Sequence, residues 1–350
     1  VIKTKALNDR IEEESGLANV RAALNRALRD LERAKVTKAD LVQAVREAAG
    51  NAIAALEIPP VPKPARDKRQ WTPEVAISLL SDWQLAKRTP TYNSDVCEKR
   101  VQLLGQKVAR LTQIQRAARP IRECHIYLLG DLVEGEMIFP GQAHRIDASL
   151  YQQVLLDGPR ILCGFIRKMA SEFEKVHVVG VIGNHGAIGG RSRKDYHPET
   201  NADSMLYEVT KQLMAKEERV SWGAMFTPDE RHWYAFDTIG EQRWLLIHGD
   251  QVRGYSGIPW YGFDRKVPKW FMSFMLNGET RFHHLAHGHF HTPVQNFING
   301  AWVWGNGSTE DYNTYALEQL AAAGEPCQRL IFAHPRRGVT LSSVVNLSEA

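Results

Sequence analysis

Five short apolar runs constrain this chain more than any other feature. They are "EVAISLL" (74–80), "CHIYLLG" (124–130), "VHVVGVIG" (176–183), "RWLLIHG" (243–249) and "HHLAHGH" (283–289). Each has strand length, and Gly, Ser or Asp residues come soon after. Between the first three lie two longer amphipathic segments, "SDVCEKRVQLLGQKVARLTQIQRAA" (94–118) and "LYQQVLLDGPRILCGFIRKMASEF" (150–173), which read as helices. Strands alternating with helices predict an α/β (α+β) chain. The later part is richer in strands, so a mixed pair of sheets is expected rather than one parallel sheet.

Residues 1–58 keep a different period. Leu17, Val20, Leu24, Ala27 and Leu31 have heptad spacing, and a second helix is expected to start after Thr37 as N-cap. Its small stripe of Leu41, Val45, Ala48 and Ala52 suits close helix packing, against the main body or in a homo-oligomer. A helix-turn-helix touching nucleic acid is the competing reading, and the nearly balanced charge speaks against it. Residues 59–71 contain Pro59, Pro60, Pro62 and Pro64 with Lys63, Arg66, Lys68 and Arg69. They read as a stiff basic linker, with the main domain spanning 72–350.

Of the 350 residues, 43% are hydrophobic and 24% charged, the balance of a globular chain with its own core. The net charge of +4 allows a polyanionic substrate but falls short of a dedicated nucleic-acid coat. Cys97, Cys124, Cys163 and Cys327 lie far apart, which argues against a zinc knuckle or a disulfide framework. No run has the length of a membrane helix. The opening "VIKTKALNDRIEEE" is too polar for a signal peptide and lacks an initiator Met, as in a trimmed chain. A cytoplasmic protein without a membrane partner is the expectation.

The residues just past each strand carry the chemistry. Asp82, Trp83 and Gln84 come after the first, Asp131 after the second, and Asn184 and His185 after the third. His248 ends the fourth, and His289 and His291 close the fifth. Singly these are ordinary turn residues. Together they bring oxygen and imidazole donors to the strand ends, where open α/β sheets place their sites.

The order "SDWQ", "GDLVEG", "GNHG", "IHGD", "GHFH" resembles the motif series of the calcineurin-like metallophosphoesterases, over roughly residues 74–310. The resemblance implies a two-sheet mixed β sandwich flanked by helices, with two divalent metal ions at one edge. It implies Asp82, Gln84 and His291 as ligands of the first ion, Asp131 as the bridge, and Asn184, His248 and His289 as ligands of the second. His185 would be the proton donor or transition-state stabiliser, and His287 a support of the strand. Two ions about 3.5–4 Å apart activate water and neutralise phosphoryl charge in an in-line displacement. Two positions depart from the family pattern. Gln84 stands where histidine is usual, and its hard, neutral oxygen favours Mn²⁺ or Mg²⁺. Gly186 stands where an acid often comes after the histidine, so something else must orient His185.

The resemblance leaves three substrate readings. "GDLVEGEMIFPGQ" resembles the small-subunit exonuclease of archaeal D-family DNA polymerases. "SDWQLAK" with "HGDQVRGYSGIPWYG" resembles phage-encoded relatives of double-strand-break repair nucleases, which work with a separate ATPase. Hydrolases of ADP-ribose and related nucleotides share the D-x-Q variant. The leading expectation is a Mn²⁺-dependent nuclease acting on DNA rather than RNA. A small-nucleotide phosphodiesterase is the alternative, and a non-catalytic polymerase or repair scaffold the third. Arg191 and Arg193 in a glycine-rich loop, His144, and the basic–aromatic stretch with Arg253, Tyr255 and Trp260 are the candidate substrate contacts.

Overall fold

The computed structural model describes residues 59–188, 200–223, 233–253, 259–311 and 324–350. The chain divides into two units, Val1–Leu56 and Glu57–Ala350. The helical and oligomer readings for residues 1–58 lie outside the described residues, as do Arg191, Arg193 and Tyr255.

Eleven described strands run in chain order: β1 (Glu74–Leu80), β2 (Ile121–Leu128), β3 (Lys175–Gly180), β4 (Val220–Trp222), β5 (Tyr234–Ile239), β6 (Gln242–Ile247), β7 (His284–His287), β8 (Gln295–Ile298), β9 (Ala301–Gly305), β10 (Cys327–His334) and β11 (Gly338–Asn346). They form two mixed sheets, ordered β11-β10-β1-β2-β3-β4 and β5-β6-β7-β9-β8. Strands β1 to β4 are parallel, and β10 joins β1 antiparallel. In the second sheet β6, β7 and β9 are parallel, with β5 and β8 antiparallel at the edges.

The period-two alternation of each strand makes the layers. Val75, Ile77, Leu79 and Tyr127 point between the sheets, where they join Trp244, Leu246, Ala286 and Trp304 in one core. Ala76, Leu80, Ile126 and Leu128 point the other way, in a core shared with helices α1 (Ser94–Arg116), α3 (Gly158–Glu172) and α4 (Ala202–Leu213). Leu245, Ile247, Leu285 and Val303 pack with Phe263, Val267, Phe271 and Phe274 of α5 (Trp260–Leu276). The layers are therefore helix, sheet, sheet, helix. Strands β1, β2, β3, β6 and β7, covered on both faces, read as continuous apolar runs, which is why they are legible in sequence.

Local chemistry sets the helix ends. Asn93 caps α1 by accepting from the Val96 N–H at 2.9 Å. The segment expected as one helix over 150–173 is interrupted. A short α2 (Leu150–Gln152) opens with a Ser149–Gln152 capping box, then a π turn (Gln153–Asp157) leads into α3. Pro159 has no N–H for the regular ladder. The buried Gln153 amide turns inward to accept from Gly135 N at 2.9 Å and donate to Ala148 O at 2.9 Å.

Two stretches look different in three dimensions from their composition. The basic–aromatic stretch after His248 forms α5, with its phenylalanines buried and Trp260, Tyr261, Arg265 and Lys269 on the outside. Residues 59–71 are irregular but held down: Arg69 donates to Arg116 O at 2.8 Å, and Arg122 to Asp67 O at 2.9 Å. Among the described residues no helix is long and apolar enough to cross a membrane.

Candidate metal centre

The loops leaving β1, β2, β3, β6 and β7 meet at one edge of the sandwich, and their backbones are strained there. Asp82, Gln84, Asp131, His289 and His291 have φ of 53°, 45°, 55°, 70° and 53°. The left-handed region is unfavourable for residues with a Cβ, and several such residues in one place mark a site held by its surroundings. Two glycines permit the close approach. A Cβ on Gly183 would lie 2.0 Å from Asp131 Oδ1, and one on Gly288 would lie 2.5 Å from Asp82 Oδ2.

Four side chains converge on a common point. His248 Nε2 lies 3.0 Å from Asp131 Oδ2, 3.1 Å from Asn184 Oδ1 and 3.2 Å from His289 Nδ1. Among the described residues Asp131, His248 and His289 form the one group of acids, histidines or cysteines close enough to share a metal ion. An octahedral ion with bonds of about 2.1 Å keeps neighbouring ligands roughly 3 Å apart. The separations therefore fit a single cation. His248 Nδ1 donates to Leu129 O at 2.7 Å, which turns Nε2 inward. Electrostatics agree. Burial opposes ionisation of Asp131, yet His248 and His185 hold its carboxyl far below the usual range. Burial likewise opposes protonation of His248, and Asp131 overcomes it, raising the imidazole to about 10. Burial and the His248 charge push His289 down to about 4. In the ion-free site the protonated His248 is thus the positive charge facing Asp131, and a divalent ion bound there would displace that proton.

A second group stands alongside. Asp82 is fully buried; it accepts from Ser81 Oγ at 2.5 Å and from the His289 N–H at 3.0 Å. His291 Nε2 is 3.5 Å from Asp82 Oδ1 and 3.3 Å from Gln84 Nε2. The Gln84 amide oxygen, its one ligating atom, accepts from Lys87 Nζ at 2.9 Å, and Lys87 pairs with Glu310 at 2.7 Å. His287 sits apart: it is buried, stacked on Phe263 at 4.6 Å, and pushed down to about 4 by burial.

Two acids that the sequence did not single out support the site. Asp203, on the first turn of α4, is fully buried and accepts from the backbone N–H groups of Asp131, Leu132 and Gly183 at 2.9, 3.0 and 2.9 Å. One carboxylate thus ties the "GD" loop to the "GN" loop. Its signal in sequence is weak, because an acid in a first helical turn is ordinary. Glu134 reaches His185, with Oε2 3.1 Å from Nδ1. Burial opposes protonation of His185, but Asp131 and Glu134 raise it to about 9.

The substrate-contact candidates scatter. His144 lies exposed on the 3₁₀ turn Gln142–His144 and lines a cleft of about 760 Å³ with Arg88 and Arg145. Arg253 and Trp260 are exposed, at the entry to α5.

No protein-family model matches the chain, and no curated protein does. Solved structures do. Vacuolar protein sorting 29 from Cryptosporidium parvum is 13% identical over 78% of this chain and 98% of its own, with a TM-score of 0.34. A hypothetical protein from Pyrococcus horikoshii is 11% identical over 78% and 88%, with a TM-score of 0.38. A novel archaeal phosphodiesterase is 10% identical over 77% and 99%, with a TM-score of 0.32. Likeness at this level carries no functional argument, and the residues of the site supply it instead.

Proposed function

We propose that this chain is a metal-dependent phosphodiesterase of the calcineurin-like kind, with two divalent ions, Mn²⁺ or Mg²⁺, at the edge of the sandwich. The observation that carries the reading is the convergence of Asp131, Asn184 and His289 on His248 Nε2, each within 3.0–3.2 Å of it. Asp131, Asn184, His248 and His289 would hold one ion, and Asp82, His291 and Asp131 the other, with Gln84 joining once its amide leaves Lys87. Bound there, the ions supply a nucleophilic water and charge neutralisation at phosphorus. The chain's own residues do the rest. Asp131 is held anionic by His248, and its other oxygen accepts from the His185 N–H at 2.7 Å. His185, buried with Nδ1 3.1 Å from the main-chain oxygen of Glu134, suits donation to the leaving oxygen. Lys87 adds a cation beside Gln84.

A nucleotide diester is the first substrate class to test, in small-molecule form such as ADP-ribose or a cyclic nucleotide. A nucleic-acid substrate, DNA before RNA, is the second reading. It is favoured by the cleft with Arg88, His144 and Arg145 and by Phe139, 49% exposed and 5.6 Å from the His185 ring. The test is hydrolysis of bis(p-nitrophenyl) phosphate, ADP-ribose and labelled DNA and RNA with Mn²⁺, Mg²⁺ or chelator. Mn²⁺-dependent turnover that Asp131→Asn abolishes supports the reading. Turnover of none of them, or turnover indifferent to chelator, refutes it.

A further inference from the structure

We propose that Lys87 makes the two metal sites unequal. Its ammonium group holds the Gln84 amide the wrong way round for a ligand, so the ion beside His291 binds after the ion beside His248, and more weakly. This loading order rests on the two-ion reading.

The orientation of Gln84 follows from what lysine can do. A lysine side chain has donors only, so the Gln84 atom that meets Lys87 Nζ at 2.9 Å has to be the amide oxygen. The amide nitrogen then points into the site, 3.3 Å from His291 Nε2 and 3.5 Å from His185 Nε2. Hard divalent ions take the carbonyl oxygen of an amide, and its NH2 group is a donor, so Gln84 in this orientation gives the ion beside His291 no ligand. Turning the amide over would lose the Lys87 hydrogen bond and set two donors face to face.

Lys87 is itself held in place. Nζ lies 2.7 Å from Glu310 Oε1 and 2.8 Å from Oε2, and the side chains are 16% and 2% exposed. A buried carboxylate that loses its cation is strongly destabilising, so the pair resists separation. The loop carrying Glu310 is fastened to the Asp82 loop: Ser308 Oγ donates to Asp82 O at 2.7 Å and accepts from the Glu310 N–H at 2.9 Å. The Lys87 N–H donates to Gln84 O at 2.9 Å, a turn that brings the lysine back over the glutamine. The other group differs. There the Asn184 oxygen already faces His248 Nε2 at 3.1 Å, toward the shared point, and no amide has to turn before an ion binds.

Calorimetry with Mn²⁺ on the whole chain reads the two affinities, and electron paramagnetic resonance separates an isolated ion from a spin-coupled pair. Wild type should bind two ions with dissociation constants at least about 10-fold apart. Lys87→Gln keeps a donor for Glu310 and supplies an oxygen for the turned Gln84 amide. It should tighten the weaker ion about 10–100-fold, leave the tighter one within about 3-fold, and bring in the coupled signal at lower Mn²⁺ concentration. Lys87→Met combined with Glu310→Gln removes both charges together and should tighten the weaker ion in the same way. The wild-type inequality needs no variant, so a substitution that fails to fold does not shield the proposal. Equal affinities in wild type, a single bound ion, or a weaker ion unchanged or loosened in the folded variants would overturn it. Unequal ions made equal by Lys87→Gln, in a chain that hydrolyses no diester, would sink the phosphodiesterase reading and leave the loading order standing. Mn²⁺-dependent hydrolysis with two equal ions would do the reverse.

Discussion

Replacing His125 by asparagine removes the cationic half of a buried pair that spans the two sheets. His125 lies on β2 and Asp237 on β5, with Nδ1 2.5 Å from Oδ2. Tyr127 donates to the same oxygen at 2.7 Å, and Glu123 Oε1 lies 3.4 Å from His125 Nε2. Burial disfavours the imidazolium, but Asp237 and Glu123 outweigh it and raise the pKa from 6.5 to about 9. The folded chain therefore binds this proton more tightly than the unfolded one. The stabilisation is complete below pH 6.5 and is lost as pH rises through 9. At about 1.36 kcal/mol per pH unit the interval is worth roughly 3 kcal/mol. Urea unfolding of wild type and His125→Asn, in chelator, at pH 6 and pH 9.5 measures it. Subtracting one protein from the other cancels the remaining titrating groups. The advantage of wild type should be about 3 kcal/mol larger at pH 6. Parallel pH dependences in the two proteins would show that the cross-sheet pair contributes nothing, and the reasoning would fail.

Asp203→Ala strands three buried N–H groups, at about 1–3 kcal/mol each less what entering water recovers, so a loss of roughly 3–5 kcal/mol is expected by denaturation. The same variant frees the two ligand loops and should weaken Mn²⁺ binding at least about 10-fold by calorimetry. Mn²⁺ at about 100 times its dissociation constant should stabilise wild type by roughly 2.7 kcal/mol, a gain that Asp131→Asn should abolish in thermal scans. Gly183→Ala places a methyl against the Asp131 carboxylate, so metal-dependent turnover should drop at least about 100-fold even where circular dichroism stays native.

By itself the sequence determined strands β1, β2, β3, β6 and β7, the helix over 94–116, most of the helix that ends at Glu172, and the order of polar residues at the strand ends. These are local matters: a strand buried on both faces must be apolar along its length, and loops entering a site announce themselves with Gly, Asp, Asn and His. The edge strands β8 and β11 carry exposed residues, such as Phe297, whose ring packs on Trp302, and Leu341, and their mixed pattern hides them. Helix α5 was masked by its basic and aromatic surface. Only the tertiary structure decided that Asp203 would tie two ligand loops together, that the Gln84 oxygen would meet Lys87, and that Glu134 would face His185. Those partners are separated by 72, 3 and 51 positions. The first joins a helix turn to two loops, the second lies within one loop and the third joins two loops, and the energy of each depends on distances that residue types alone do not encode.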